Sequence, residues 1–369
     1  MLKKLISVFA VLSLSVFALS ACGIKSDNTV SDTKSSQTTE EIATLNPDVE
    51  PADSMTLEEK VGQIFMVRCS ENMDEILKKN PGAIIMFSND FDDLSKEQVK
   101  AKIDGYKSAM RVEPYIAVDE EGGTVVRVSN HKALSPNKYE SPQHYYKQGG
   151  IPAIIEIETE KAKLLTSLGI SMNLAPVADI TTNPEDFIYD RSIGLDPQST
   201  ADYVADVVKV MKKNNILSCM KHFPGYGSNV DTHTGIAVDE RPLSQFKEND
   251  FLPFESGINA GADAILVSHN IITCVDETQP ASISPAIHEI IRNDLGFTGL
   301  ILTDDMSMGA MANYGTPYVK AVLAGNDMII VSDFDTAYNE VLNAVKNGTI
   351  PEETLNAAVN RIVNKKNGK

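Results

Sequence analysis

Eight short apolar runs punctuate the chain: Phe65–Cys69, Ala83–Phe87, Tyr115–Val118, Ser171–Val177, Leu217–Met220, Ala264–Ser268, Leu300–Thr303 and Met328–Val331. They are continuous rather than alternating, the pattern of strands buried on both faces. Between most of them lie segments of helical period, among them Lys96–Met110, Ile154–Leu168, Thr200–Asn214 and Thr336–Lys346. Thr56-Leu-Glu-Glu59 has capping-box spacing and opens a helix. Eight strands with intervening helices predict an α/β architecture, a single (β/α)8 barrel of the TIM type over 53–369. The connection after the first run is short, which predicts an irregular first unit. No internal repeat or low-complexity block follows residue 52.

The first residues obey a different rule. Lys3 and Lys4 precede an apolar stretch, Leu5 to Phe17, closed by Leu19-Ser20-Ala21-Cys22. That is a secretion leader over 1–21, too short to span a membrane comfortably. Leu-x-Ala-Cys resembles the lipobox of bacterial lipoproteins, which implies cleavage before Cys22 and acylation of its sulfur. Residues 22–52 are Ser/Thr/Asp-rich with few large apolar side chains, the composition of a flexible tether. The expected location is extracytoplasmic, held to the membrane through the lipid on Cys22 only. Losing Lys3 and Lys4 with the leader takes the formal charge from −18 to −20. So acidic a chain disfavours nucleic acid and anionic lipid surfaces as partners. Cys69, Cys219 and Cys274 form neither a disulfide framework nor a zinc pattern, and are read as small core residues.

Chemistry concentrates in Lys221-His-Phe-Pro-Gly-Tyr-Gly-Ser-Asn-Val-Asp-Thr-His233. In an extended segment side chains two apart point the same way, so Asp231 and His233 can meet. A carboxylate on one imidazole nitrogen fixes the tautomer and leaves the other to move protons, which makes His233 a candidate general acid/base. An isolated Asp-x-His is more often a structural hydrogen bond in a turn; the lysine and second histidine of the same loop argue otherwise. Other polar residues follow the predicted strands. Asp119 comes after the third, Arg191 in the loop after the fourth, Lys221 and His222 after the fifth. His269, Asp304 and Asp333 follow the last three. In such barrels they would converge at the carboxyl ends of the strands. Asp304 is a candidate nucleophile toward a sugar's anomeric carbon, and Asp305 is expected to turn away and cap the next helix. Asp119, the Gly122-Gly123 turn and Arg127 make a candidate polyol clamp, with Arg191 as a further charged donor. Each of these, taken singly, also fits a surface ion pair. No nucleotide fingerprint and no metal-ligand spacing occurs, so neither cofactor nor metal is expected.

Together these motifs resemble glycoside hydrolase family 3, in its β-N-acetylhexosaminidase branch. The matching pieces are Val118-Asp-Glu-Glu-Gly-Gly123, Asn173-Leu-Ala-Pro-Val-Ala-Asp179, Arg191-Ser-Ile-Gly194, Lys221-His-Phe-Pro-Gly225, Asp231-Thr-His233 and Thr303-Asp304, in order across 55–369. The resemblance implies a retaining enzyme with Asp304 as nucleophile and His233 as acid/base, partnered by Asp231. It implies that Asp119, Arg127, Arg191, Lys221 and His222 hold a terminal sugar, and that the substrate is an N-acetylglucosamine-containing oligosaccharide. The chain departs from the pattern at Tyr226, where the family carries a second histidine, and at Ser228-Asn229. Its loop is also one residue shorter, and Thr124 stands where an arginine is common. Rival readings within the class are a β-glucosidase and a phosphorylase. From a different class comes a non-catalytic sugar-binding lipoprotein, which would normally need two domains around a hinge. Oligomeric state is not legible in the sequence.

Overall fold

A computed structural model of the chain describes residues 52–229, 231 and 235–368. These lie within one contact unit, Leu45–Lys369. The other unit, Met1–Thr44, with the leader and Cys22, lies outside the described residues, as do most of the tether and His233.

The barrel strands are β1 (Phe65–Arg68), β2 (Ala83–Ile85), β3 (Tyr115–Val118), β4 (Met172–Asn173), β5 (Leu217–Phe223), β6 (Ala264–Val267), β7 (Leu300–Thr303) and β8 (Ile329–Val331). All pair in parallel with their neighbours, and β8 returns to β1 through Phe65↔Ile329. A single bridge, Leu302↔Met328, and the Thr303 N–H donated to Met328 O bring β7 against β8. Each strand sits where an apolar run was read.

β4 is the exception in length. The run Ser171–Val177 supplies only two ladder residues, because the chain turns there and Ala175 N donates to Asn173 O instead of a neighbouring strand. Pairing resumes as one bridge, Val177↔Lys221. β5 is longer than its apolar run because Lys221, His222 and Phe223 continue the strand. The chemistry-bearing residues therefore begin on the barrel rim itself.

Helices α1 (Leu57–Gln63), α2 (Met73–Leu77), α3 (Lys96–Ser108), α4 (Pro142–Ser167), α5 (Pro197–Lys213), α6 (Phe251–Ala260), α7 (Pro285–Glu289), α8 (Pro317–Ala324), α9 (Phe334–Lys346) and α10 (Glu352–Lys366) cover the outside. Thr56 and Glu59 form the expected capping box on α1. The first unit is irregular as anticipated, with a five-residue α2. α4 starts twelve residues earlier than its periodic stretch, bent where Gly149 and Gly150 leave helical geometry. Two expectations need correcting. Cys274 is exposed rather than a core residue, whereas Cys69 and Cys219 are buried, and all three are free thiols. Asp333 does not join the rim cluster: it caps α9 by accepting from Thr336 N, in solvent.

Candidate active site

At the carboxyl ends of the strands a cavity of about 460 Å³ is lined by Asp119, Arg127, Arg191, Lys221, His222 and Asp304, together with Arg68, Phe87, Glu121 and Asp305. That volume is within the range of small-ligand sites, about 300–1,000 Å³. Six of the expected site residues thus share one space. Asp231, half-buried in the loop after β5, does not line it, and His233 lies outside the described residues.

Glu121 is the hub of this cavity, a residue quoted in a motif but given no role by sequence. Its carboxylate accepts Arg191 Nε at 2.9 Å and Nη2 at 2.8 Å, and stands 2.5 Å from Lys221 Nζ. Lys221 also donates to Asp119 Oδ1 at 2.6 Å. Burial works against charging Glu121, but Arg191 and Lys221 outweigh it and hold the carboxyl well below its usual range. Burial likewise opposes the Lys221 charge, and Asp119 and Glu121 reverse that, raising it above an ordinary lysine. Both groups are ionised at neutral pH. Asp119 keeps its second oxygen 3.7 Å from Arg127, so its carboxylate retains acceptor capacity for a hydroxyl. Arg191 Nη1 has no protein partner among the described residues.

The neighbouring acids do different work. Glu120 is fully buried and accepts the backbone N–H groups of Arg127, Val128 and Ser129, at 2.7, 2.7 and 3.1 Å. It shapes the β3 loop that presents Arg127. Asp179, also missed by sequence, is buried beneath β5. Its Oδ2 takes His222 Nδ1 at 2.6 Å, and its Oδ1 takes Tyr226 N at 2.7 Å. A carboxylate inside an otherwise apolar motif, Asn173–Asp179, was the available signal. Arg191 Nη2 is 3.1 Å from His222 Nε2 and can only donate, so Nε2 accepts and Nδ1 carries the proton given to Asp179. Both nitrogens of His222 are therefore engaged, and it orients Arg191. Tyr226, where the resemblance has a histidine, packs its ring edge-on against His222 at 5.1 Å and is almost fully buried.

Asp304 ends β7. Burial raises its carboxyl, but its surroundings, with the Asp305 N–H and the Lys221 ammonium among them, outweigh this and leave it below the ordinary aspartate value. An ionised carboxylate at a barrel mouth, faced by sugar-sized space, is equipped for nucleophilic attack. His269 stands behind the cavity rather than in it: Ser282 Oγ lies 2.7 Å from Nδ1, and Nε2 donates to Asp305 O at 3.0 Å. Asp305 lines the cavity beside Asp304, contrary to expectation, and caps no helix. Its carboxylate accepts Ser307 N at 2.9 Å and Ser332 Oγ at 3.2 Å, tying the β7 loop to β8.

The base of the loop after β5 is built on two glycines. Gly225, at φ +119°, has no room for a side chain, since a Cβ would sit 2.5 Å from Asp250 Oδ1. Gly227 presses likewise on Arg241, which bridges Asp239 and Asp250. Asn229 then donates to Asp239 Oδ2 at 2.8 Å. Gly225, Gly227 and Asn229 thus lie close against the Asp239–Arg241–Asp250 ion-pair cluster. Among the described residues no cluster of three potential metal ligands occurs.

Comparison with known proteins agrees with the barrel. Residues 56–365 match the glycosyl hydrolase family 3 N-terminal domain. The chain is 30% identical over 287 residues to the beta-hexosaminidase of Stenotrophomonas maltophilia strain K279a, covering 75% of this chain and 84% of that one. To the beta-hexosaminidase of strain R551-3 it is 31% identical over 281 residues, 74% of this chain and 82% of that one. The solved structure of a glycoside hydrolase family 3 beta-N-acetylglucosaminidase from Paenibacillus sp. str. FPU-7 superposes with a TM-score of 0.80 at 27% identity. That match covers 85% of this chain and 63% of the longer one. The chain belongs to glycosyl hydrolase family 3. It is a glycoside hydrolase.

Proposed function

We propose that this enzyme is an exo-acting, retaining β-N-acetylhexosaminidase that removes terminal β-linked N-acetylglucosamine from oligosaccharides derived from peptidoglycan or chitin. Of the relatives above, two are beta-hexosaminidases and one a beta-N-acetylglucosaminidase by name, which supports the N-acetyl sugar. The observation that carries the reading is the placement of the Asp304 carboxylate, kept ionised, in the same cavity as the Asp119, Arg191, Lys221 and Glu121 network. An aspartate facing hydroxyl-binding charges suits a sugar held by its hydroxyls and attacked at C1.

Asp119 and Arg191 Nη1 offer an acceptor and a donor for ring hydroxyls. Asp304 attacks the anomeric carbon as the glycosidic C–O bond breaks, and His233 gives its proton to the departing oxygen. His233 then takes a proton from water, whose oxygen displaces Asp304 and regenerates the carboxylate. The part given to His233 rests on the Asp231-Thr-His233 spacing. The leader and Cys22 support placing the enzyme outside the cell membrane on a lipid anchor, with 22–52 as tether and 53–369 as the catalytic barrel.

The test is nitrophenol release from aryl N-acetyl-β-glucosaminide and aryl β-glucoside by the protein and by Asp304→Ala. Preference for the N-acetyl sugar, lost in the variant, is the expected result. Turnover of the glucoside alone would refute the substrate, and full activity in Asp304→Ala would refute the nucleophile. Added phosphate that raises turnover would replace hydrolysis by phosphorolysis.

A further inference from the structure

His269 follows β6, where the sequence placed it, yet the reaction above gives it no part. It is fully buried, with both ring nitrogens engaged. Nε2 stands 3.0 Å from the Asp305 carbonyl, which can only accept, so Nε2 carries the hydrogen. In the neutral ring Nδ1 is then the acceptor, and Ser282 Oγ, 2.7 Å away, donates to it. Ser282 is itself pinned. Its N–H donates to Ser268 O at 3.0 Å, and its carbonyl accepts Asn326 Nδ2 at 2.8 Å. Asn326 gives its second N–H to Ala321 O, and its side-chain oxygen is left buried with no hydrogen-bond partner. A buried acceptor without a donor costs stability, so the amide is kept in place by the two bonds it donates.

What His269 grips is the turn that follows Asp304. The peptide between Asp305 and Met306 is clamped at both ends: His269 holds its carbonyl, and its N–H donates to Ile330 O at 3.1 Å. Asp304 N donates to Val267 O at 3.0 Å, which ties the start of the turn to β6. Between these fixed points the Asp305 N–H falls on Asp304 Oδ1, at 2.9 Å. Among the described residues no hydrogen bond reaches Oδ2. The two carboxylate oxygens therefore differ, one held and one free. The opposite tautomer of His269 would set a ring lone pair against the Asp305 carbonyl and release that end of the clamp.

We propose that Ser282 and His269 are positioning residues for the reaction. Ser282 fixes the His269 tautomer, His269 clamps the Asp305 peptide, and the Asp305 N–H holds Asp304 Oδ1 so that Oδ2 meets the anomeric carbon. The inference rests on the reading of Asp304 as nucleophile. It acts on turnover rather than on sugar binding, since neither Ser282 nor His269 lines the cavity.

The experiment follows Ser282→Ala in the full chain, in the wild-type and His269→Gln backgrounds. Glutamine places an amide nitrogen where the ring Nε2 stands, and it needs no hydroxyl to keep its hydrogens there. On an aryl N-acetyl-β-glucosaminide, Ser282→Ala should lower kcat by about tenfold, the loss of one buried hydrogen bond, with KM changed less than about twofold. In the His269→Gln background the same substitution should cost less than about twofold. Equal losses in both backgrounds, or wild-type kcat in Ser282→Ala, would overturn the proposal. Heteronuclear NMR of the wild-type imidazoles needs neither turnover nor the Ser282 variant. His269 should carry its proton on Nε2, and a proton on Nδ1 would overturn the proposal alone. Full activity in Asp304→Ala would overturn the nucleophile, and the proposal with it.

Discussion

Lys161 tests whether the Glu121–Arg191–Lys221 network is set from outside the cavity. It sits on α4, almost fully buried, and donates to Glu158 Oε1 at 2.6 Å and to the backbone carbonyl of Glu121 at 2.9 Å. Glu121 is the carboxylate on which Arg191 and Lys221 both rest. Lys161→Met leaves Glu158 charged and buried without a cation, a loss of about 3–5 kcal/mol. At a few degrees per kcal/mol, that lowers Tm on the order of 10 °C. The pair Glu158→Leu/Lys161→Met removes both charges at similar volume, an exchange that is about neutral for stability. It does not restore the hydrogen bond to Glu121, worth about 1.5–3 kcal/mol for a charged donor. If that bond positions Glu121, the double variant recovers its Tm but keeps a kcat/KM lower by about 10–100-fold, mostly through KM. Thermal melts with kinetics on an aryl N-acetyl-β-glucosaminide make the measurement. A double variant with wild-type Tm and wild-type kcat/KM would show that Lys161 merely neutralises Glu158, and would refute the reasoning.

Other consequences follow from the same geometry. Asp179→Asn removes the charge that holds the His222 tautomer and should lower kcat/KM about 10–100-fold, one charge-assisted hydrogen bond. In a His222→Gln background the same substitution should cost much less, which a double-mutant cycle reads directly. Glu121 has a depressed folded pKa, so its ion pairs stabilise the fold above the unfolded value near 4.3, and that stability is lost as pH falls below it. Urea melts between about pH 7 and 3 should show Glu121→Gln less stable at neutrality, with the difference from wild type shrinking toward the acid end. Gly225→Ala places a Cβ at φ +119° against Asp250 and should destabilise by about 1–3 kcal/mol, measured as a lower urea midpoint.

Much of this site was legible because its motifs are local. Asp119 is expected after the third strand and Asp304 after the seventh, and each is there; Lys221 and His222, expected just past the fifth, are instead among its last residues. What failed to read was the work of the residues beside them. Asp119, Glu120 and Glu121 are three consecutive acids. One faces Lys221 and Arg127, one binds three backbone N–H groups, and one bridges two cations. Nothing in their spacing distinguishes those roles. Asp304 and Asp305 were expected to part, one inward and one capping a helix. Instead the chain runs on without a helix there, and Asp305 ties its loop to Ser332. Asp333 looked like a rim residue by position, but its side chain found the free N–H of Thr336 first.

The sequence by itself determined the alternation of strands and helices and the identity of the groups delivered to each strand end. Those depend on periodicity, capping and proline, which act between near neighbours. Only the tertiary structure decided which charges meet. Lys221 and Asp119 are 102 positions apart, Arg191 and Glu121 are 70 apart, and Arg68 reaches the same cavity from the far side of the barrel. Their distances are set by barrel closure and strand register. Whether a buried carboxylate becomes an anchor, a nucleophile or a backbone clamp follows from the cation or N–H that closure brings within hydrogen-bonding reach.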